Sequence, residues 1–598
     1  MQVGVDTGGT FTDVVGDDGR IHKLPSTPDD PGDAVRRGLA ALSDAVPALL
    51  AHGTTVATNA LLERRGATVA LVTTEGVADV IEIARQDRPS LYDPWADRPV
   101  PLVARSHRFE VAGRLAAAGD ELTAVDPASI PPLGDDVEAV AVCLLHADLD
   151  PSHERAVAAE LEGRGHDVSC SSAVSPQFRE YERTVTTVVN AYLRPACRSY
   201  LRGLGDTADE VLVMTSAGGL VPISDGADLP AALLLSGPAG GVRAGAELAV
   251  ACGFPDAITF DMGGTSTDVC LVLGGEPAPA GERTVGGFAV RQPSLDVHTI
   301  GAGGGSIARI DSGGALVVGP ESAGASPGPA CYGWGGARPT VTDADLVAGR
   351  IPADARFPGL GVLDLAAARA ALDGAGVTAE GVIAVVDAAM EQALRSVSVG
   401  RGVDPAGLAL VAFGGAGPLH ACGLADALGM AAVIVPPRAG VLSAVGLLCS
   451  PRQHDEVRSW PTPGDHTGLA EALDALADRA ATALPGGTVV TAVECRYAGQ
   501  SHELRVPTVD GFAAEHARRN GYDRPGTPVE VVALRATARR PPAVEVGDLP
   551  PLERSAAVGP AVIAEADCTV WVPTGWRAKP EPTTGALVLR RMKTGRGA

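Results

Sequence analysis

Short apolar runs bounded by turn residues set the rhythm of this chain, and one pair of them repeats. A β-type run at Gln2–Val5 leads into a polar, glycine-bearing interval and then a second run at Asp13–Val15, closed by Asp17-Asp18-Gly19. The same order returns at Ala257–Phe260 and Asp268–Leu273, closed by Gly274-Gly275. Apolar runs of this length bracketed by Gly and Asp read as strands, so each block predicts a hairpin with glycines at its tip. The intervals are near copies of each other: Asp6-Thr-Gly-Gly-Thr-Phe-Thr-Asp-Val14 and Asp261-Met-Gly-Gly-Thr-Ser-Thr-Asp-Val269, both D-x-G-G-T-x-T-D-V. In a dinucleotide-binding fold the glycine loop leads from a strand into a helix. Here strand follows the glycines, which decides against that fold. Two glycine-tipped hairpins in two halves predict two related domains facing across a cleft.

A third glycine cluster has a different pattern. The apolar run Leu408–Phe413 is followed by Gly414-Gly415-Ala416-Gly417, then by Pro418 and the helical stretch Leu419–Leu428. Proline is favoured at a first helical position, so this reads as strand, glycine turn and helix, a geometry suited to a nucleoside or phosphate at a helix N-terminus. The long apolar stretch Met430–Cys449 is interrupted by Pro436, Pro437 and Arg438, and predicts a buried strand, turn and helix rather than a membrane span.

The chemistry of the repeats follows from residue type. Glycine has no Cβ, so its N–H can approach a phosphate oxygen, and threonine hydroxyls add donors. Thr7, Gly8, Gly9 and Thr10, with Gly263, Gly264 and Thr265, are therefore candidate phosphate contacts. Asp6 and Asp261 stand where strand becomes loop. Carboxylates beside phosphates repel unless a cation intervenes, and Mg²⁺ held largely through water is the expected mediator. Asp13 and Asp268 are candidates to orient water or an acceptor. The plainer alternative is two tight hairpins with buried aspartates.

Composition narrows the choice. The 598 residues predict several domains, and 45% hydrophobic residues fill sizeable cores. With 72 acidic against 48 basic residues the net charge is −24, which argues against nucleic-acid binding. Lysine occurs only at 23, 579 and 593, never in a glycine-rich loop, so neither a Walker A loop nor a kinase lysine is present. Phosphate must then be handled by N–H groups, hydroxyls and a metal. Ten cysteines without a C-x-x-C pair fit neither a zinc site nor a secreted disulfide framework, and the N-terminus does not read as a signal peptide. A cytoplasmic, non-membrane protein is the expectation.

Two phosphate hairpins plus a G-G-x-G loop resemble the superfamily of actin, sugar kinases and heat-shock chaperones. The wording is narrower still. Val3–Asp13, His52-Gly-Thr-Thr-Val-Ala-Thr-Asn59, Ser236-Gly-Pro-Ala-Gly-Gly-Val242, His298–Ser306, Ser322–Gly333 and Phe413-Gly-Gly-Ala-Gly-Pro-Leu-His420, followed by Arg496–Leu504 and Gly559–Ile563, resemble the hydantoinase/oxoprolinase A-subunit family. That family also includes nucleotide-binding subunits of acetone and acetophenone carboxylases. The resemblance implies an α/β fold of duplicated actin-like (ribonuclease H-like) ATPase domains, ATP and Mg²⁺ as cofactors, and a separate hydantoinase B-type subunit in a hetero-oligomer. It places the family's phosphate-loop aspartates at Asp6 and Asp261, its glycines at Gly8, Gly9, Gly263 and Gly264, and its adenosine loop at Gly414, Gly415 and Gly417. The chain looks shorter than most members between Arg452 and Gly559.

The expected division is 1–175 for the first domain, 176–455 for the second with the adenosine loop, and 456–598 for a smaller β-rich domain. Gly303 and Gly304 belong to a run with glycine at four of the five positions 301–305, which either lines the phosphate end of the cleft or serves as a packing hinge. Thr58 and Asn59 are read either as helix caps before Ala60 or as contacts to phosphate or substrate. His298, His420 and His502 are read as structural, and Cys331 as a catalytic thiol only in an electropositive setting. The function expected is ATP-dependent opening of a cyclic amide such as a hydantoin, 5-oxoproline or another lactam. The alternatives are an acetone- or acetophenone-type carboxylase subunit and a non-catalytic ATP-driven switch.

Overall fold

In the computed structural model, which describes residues 1–9, 11–27, 30–357 and 361–592, both expected hairpins form. Gln2–Thr7 runs antiparallel to Phe11–Gly16, and Ala257–Met262 to Thr267–Leu273. Their registers match: Asp6 lies opposite Asp13, and Asp261 opposite Asp268. The likeness extends one strand beyond the repeated string. Ile21–Pro25 pairs with the first hairpin, placing Lys23 opposite Asp13 and His22 opposite Val14. His298–Ile300 pairs with the second, placing Thr299 opposite Asp268 and His298 opposite Val269.

On its other side each first strand takes parallel neighbours. Leu49–Thr54 and then Val211–Met214 follow Gln2–Thr7, while Ala409–Phe413 and then Ala432–Val435 follow Ala257–Met262. Ala409–Phe413, Ala432–Val435 and Val211–Met214 are buried at every position, as parallel strands covered on both faces require. Strands of the C-terminal segment are shared between the two sheets. Arg452–Ser459, Thr488–Tyr497, Leu504–Val506 and Val529–Arg540 extend the first to ten strands. Ala557–Val558, Trp576–Pro580 and Leu587–Arg591 extend the second to nine. A separate sheet of four parallel strands, built from Arg108–Val111, Val69–Thr74, Ala139–Cys143 and Val168–Cys170, lies within the N-terminal part.

The stretch Met430–Cys449 is the strand, turn and helix expected, with Leu442–Leu448 helical and buried. That helix crosses Gly237–Ala251 at backbone distance. A Cβ on Gly446 would stand 1.9 Å from the carbonyl oxygen of Gly240, and one on Gly4 would stand 2.2 Å from that of Ala444. These absent side chains set how closely the helix pair and the first strand approach, and they account for the glycine pair in Ser236–Val242. No helix among the described residues is long and apolar enough to cross a membrane.

One local expectation is corrected. The helix after His52 begins at Val56, not at Ala60, so Thr58 and Asn59 lie inside it and cap nothing. Thr54 Oγ1 accepts the Val56 N–H at 3.2 Å, and Thr58 Oγ1 accepts the N–H of Leu235 at 2.9 Å. The run from Val56 carries no breaker, so the helix nucleates as soon as the strand ends.

Candidate functional site

Asp6 and Asp261 sit at the last turns of their strands, each with its hairpin partner Asp13 or Asp268 alongside. Both keep a window of solvent and are otherwise ringed by protein. Desolvation, then the neighbouring Asp13, raises Asp6 to about 7 against the pull of Lys23. Desolvation, then Asp268, then Asp6 and Asp13, raises Asp261 to about 8. The second hairpin's acid is therefore raised by like charge from both acids of the first. Burial also raises Asp13, opposed by Lys23 and reinforced by Asp567. Burial raises Asp268, opposed by a hydrogen bond from Thr299 and by Arg283.

The Asp6 Oδ1 and Thr7 Oγ1 atoms are buried and have no hydrogen-bond partner. A partnerless carboxylate oxygen is costly unless a cation takes it. Raised pKa values say the same of the pair: the ionised forms lack compensating charge. These donors, all oxygen, suit Mg²⁺.

The glycine tips have one side open and one side propped. Gly8 N–H donates to Phe11 O at 3.0 Å, and Gly263 N–H to Ser266 O at 3.1 Å, so the two tips close with the same turn bond. A Cβ on Gly9 or Gly264 would meet nothing within 4 Å, and both residues are exposed. Thr10 lies outside the described residues. Behind the second tip stands the run 301–305. Gly304 N–H donates to Gly263 O at 3.0 Å and Gly305 N–H to Gly264 O at 2.7 Å. Gly303 N–H is taken by Ser306 Oγ at 2.8 Å, and a Cβ there would stand 2.7 Å from Thr265 N. Gly303 and Gly304 thus brace the tip with backbone, their own N–H groups already engaged.

Gly414 is the closest neighbour the third glycine cluster offers. Its φ is 77°, and a Cβ on it would stand 2.3 Å from Asp261 Oδ1. Gly414 N–H donates to Ala439 O at 2.9 Å, and Ala416 N–H to Met262 O at 3.1 Å. The helix Gly417–Leu428 therefore starts beside Asp261, with Gly415 facing open space.

Three residues at this site escape a reading by motif. Lys23 is one: its Nζ lies 2.7 Å from Asp13 Oδ1. Its signal is position, one strand over from Asp13 in a chain with so few lysines. Thr299 fills the matching place in the second half. Asp567 arrives from the C-terminal segment, accepts the Gly440 N–H at 2.8 Å and adds negative charge near Asp13. No local pattern marks it.

The remaining candidates differ in their surroundings. His52 donates through Nδ1 to Val5 O at 3.1 Å and accepts from Tyr200 OH at 2.7 Å, and burial lowers it to about 4, so it is neutral. His420 is buried between Asp387 (2.6 Å) and Asp345 (3.1 Å). His298 and His502 are exposed. Cys331 is buried, and desolvation and Asp343 push its thiol up, the reverse of an activated nucleophile. Glu565, Asp567 and Cys568 gather within 4.8 Å, but Glu565 is paired with Arg554. A cavity of about 410 Å³ lies away from the hairpins, among Gln177, Thr215, His454, Asp455 and Glu456. Its acids are already answered, Asp455 by Gln453 and Thr537, and Glu456 by His454.

A family model described as hydantoinase/oxoprolinase matches residues 183–456, and one described as hydantoinase/oxoprolinase N-terminal region matches residues 2–165. The chain is 34% identical to the caprolactamase subunit alpha of Pseudomonas jessenii, over 97% of this chain and 98% of that one. It is 35% identical to 5-oxoprolinase 1 of Arabidopsis thaliana over 74% of this chain but 41% of that protein. It is 34% identical to the acetophenone carboxylase gamma subunit of Aromatoleum aromaticum over 74% of this chain and 67% of that one. The solved structure of an ATP-dependent caprolactamase from Pseudomonas jessenii superposes with a TM-score of 0.86 at 31% identity, covering 99% of this chain and 100% of that one.

Proposed function

The chain belongs to the hydantoinase/oxoprolinase family, and we propose from that footing that it is the ATP-handling subunit of an enzyme that opens a cyclic amide, working with a hydantoinase B-type subunit. One observation carries the reading: Asp6 and Asp261 stand at matching register in two glycine-tipped hairpins, and Asp6 keeps a buried carboxylate oxygen with no hydrogen-bond partner. That is the arrangement a polyphosphate and its cation need. The duplicated actin-like division, with domains 1–175 and 176–455 and a β-rich segment 456–598, belongs to the same reading.

A lactam resists hydrolysis because its carbonyl carbon is a poor electrophile and its nitrogen a poor leaving group. In the proposed reaction the carbonyl oxygen attacks the γ-phosphorus of ATP and ADP leaves. Water then adds to the activated carbon and the ring C–N bond breaks with a proton going to nitrogen, which leaves an acyl phosphate; a second water hydrolyses it to inorganic phosphate and the free amino acid. Mg²⁺, when bound, supplies the positive charge that lets phosphates approach carboxylates. Asp6 and Asp261 are the residues that would hold it. Thr7, Gly8, Gly9 and Thr10 offer N–H and hydroxyl donors on one side, and Gly263, Gly264 and Thr265 on the other. Gly303 and Gly304 keep the second tip in place, and Gly414, Gly415 and Gly417 take the adenosine. Asp13 and Asp268 orient water or the acceptor. Catalysis of this kind is positioning and charge stabilisation.

The test is ADP release by the chain purified with its B-type partner, across hydantoin, 5-oxoproline, larger lactams and aryl ketones, each with and without bicarbonate. ATP consumption matched by ring-opened amino acid is expected. The similarity to the acetophenone carboxylase gamma subunit favours one second reading, and a carboxylated ketone formed only with bicarbonate would establish it instead. Tight Mg-ATP binding with no stimulated turnover beside a verified partner would sink both and leave a nucleotide switch.

A further inference from the structure

The most conspicuous apolar surface of this chain is an irregular arm in the N-terminal part. Residues 84–104 contain no helix or strand, and they carry Leu91 at 80% exposure, Tyr92 at 95%, Trp95 at 87% and Val100 at 75%. Leu62 and Ile83, at 55% and 51%, flank them. The chain has only five tryptophans and seven tyrosines, and a soluble surface gains nothing by displaying one of each almost whole.

The arm is built, not merely loose. Arg98 donates to Ile83 O at 2.7 Å and to Asp87 O at 2.8 Å, and so ties the two ends of the arm together. Ser90 Oγ accepts the Asp93 N–H at 3.0 Å, and Asp93 Oδ1 accepts the Trp95 N–H at 2.9 Å, which folds the tip. At the base Arg85 donates to Glu182 Oε1 at 2.7 Å, and Arg64 to Val100 O at 3.1 Å. These bonds hold part of the arm's backbone in place, and Leu91, Tyr92, Trp95 and Val100 face outward among the exposed charges of Asp87, Arg88, Asp93 and Asp97.

We propose that this arm is the docking surface for the hydantoinase B-type subunit, with Tyr92 and Trp95 as its anchors and Leu91 and Val100 around them. The proposal rests on the two-subunit reading above. Exposed Trp and Tyr on a fixed backbone are the residues that dominate binding energy at interfaces. A partner of comparable size is indicated by lengths alone. The chain accounts for 98% of a relative named as one subunit, yet for only 41% of 5-oxoprolinase 1, a single longer polypeptide. The larger remainder of that polypeptide is covalently joined to the part that this chain resembles. A second copy of this chain is the poorer occupant, because two bodies of net charge −24 repel each other. The arm is also connected to the site. The helix Val56–Leu62 ends at exposed Leu62 beside the arm, and it begins next to Thr55, whose hydroxyl donates to Thr7 O at 3.3 Å. A subunit seated on the arm therefore presses on a helix that starts at the first hairpin tip.

The experiment is co-expression of the chain with the B-type protein of the same organism, followed by affinity measurement and light scattering on wild type, on Leu91→Ser/Tyr92→Ser/Trp95→Ser, and on Val490→Ser as an exposed control elsewhere. The expected result is complex formation by wild type and control, and affinity weakened by at least about 100-fold in the triple variant, with melting temperature and Mg-ATP binding of the isolated chain unchanged. Wild-type affinity in the triple variant overturns the docking surface and leaves the two-subunit reading intact. Failure of wild type to bind any B-type protein overturns that reading, and the docking surface with it. A wild-type homodimer that the triple variant abolishes, with partner binding retained, assigns the arm to a second copy and overturns the proposal.

Discussion

Lys23 and Asp13 face each other on neighbouring strands with Nζ 2.7 Å from Oδ1, whereas the matching position in the second half sets Thr299 against Asp268. The two hairpins are alike in their acids and unlike in what answers them. One side of the cleft carries a fixed ammonium, and its influence extends to Asp6 and Asp261 as well as to Asp13. The other has the Thr299 hydroxyl at the matching place, with positive charge from Arg283 but no paired ammonium among the described residues. An acid that must stay ionised to orient water gains from a fixed cation; one that hands a proton on does not.

Lys23→Met is therefore expected to lower substrate-driven ATP turnover on the order of 10²-fold, the scale of losing one charge-stabilising group, with Lys23→Arg recovering part of it because charge persists while geometry does not. Steady-state ADP release with the partner present measures this. Turnover of Lys23→Met within about threefold of wild type, under 1 kcal/mol in barrier, would remove Lys23 from the site.

Asp6→Asn and Asp261→Asn are expected to cost on the order of 10²–10³ in turnover, and to do the opposite to the stability of the nucleotide-free protein. The folded state holds these groups at about 7 and about 8, above the ordinary aspartate value of 3.8. A carboxyl raised by folding binds its proton more tightly in the native state, so its contribution is complete below about 3.8 and is lost as pH climbs through 7 and 8. Melting without nucleotide or divalent cation should show Asp261→Asn gaining on wild type by several degrees between pH 5 and pH 8.5. Parallel curves would mean that the carboxylates are not held uncompensated.

The repeat is legible in the sequence because hairpin register follows from strand alternation and from a turn of fixed length. Two copies of one string must then place Asp6 over Asp13 and Asp261 over Asp268. The strand, turn and helix from Ala409 to Leu428 are legible for the same local reasons. What escapes is tertiary. Lys23 acts from a third strand whose pairing no motif records. Asp567 comes to Asp13's neighbourhood from the turn of a separate C-terminal hairpin, Ala561–Ala564 with Thr569–Val572. The engaged N–H groups of Gly303 and Gly304 depend on what stands in front of them, which a run of glycines does not disclose.

Gly414 and Gly415 give a paired test of the adenosine loop. At Gly414, alanine must adopt φ near 77° and push its Cβ onto Asp261, so Gly414→Ala is expected to lose about 1–3 kcal/mol of stability together with nucleotide affinity. At Gly415 a Cβ meets nothing within 4 Å, so Gly415→Ala should melt like wild type and weaken only binding of a fluorescent ATP analogue. Unchanged affinity in Gly415→Ala would move the adenosine elsewhere.

His420 ties the adenosine-loop helix to two others through a charge that titrates. Its Nδ1 lies 2.6 Å from Asp387 on Ala379–Val397, and its Nε2 lies 3.1 Å from Asp345 on Val341–Val347. Arg350, 3.4 Å from Nδ1, opposes the charge. Burial pulls the imidazole down, but the two aspartates outweigh it and raise it to about 9. A histidine raised by folding contributes stability in full below about 6.5, and the contribution is lost as pH rises through 9. Wild type should accordingly become easier to unfold in urea from pH 6.5 to pH 9.5. His420→Gln should start lower by about 3 kcal/mol, since it strands the buried Asp345 carboxylate and the half-buried Asp387. The gap between the two should narrow as wild type loses its proton. The difference between the curves isolates this residue from every other titrating group, so a gap that stays constant across that range would show that His420 is already neutral and that the three helices are held by packing alone.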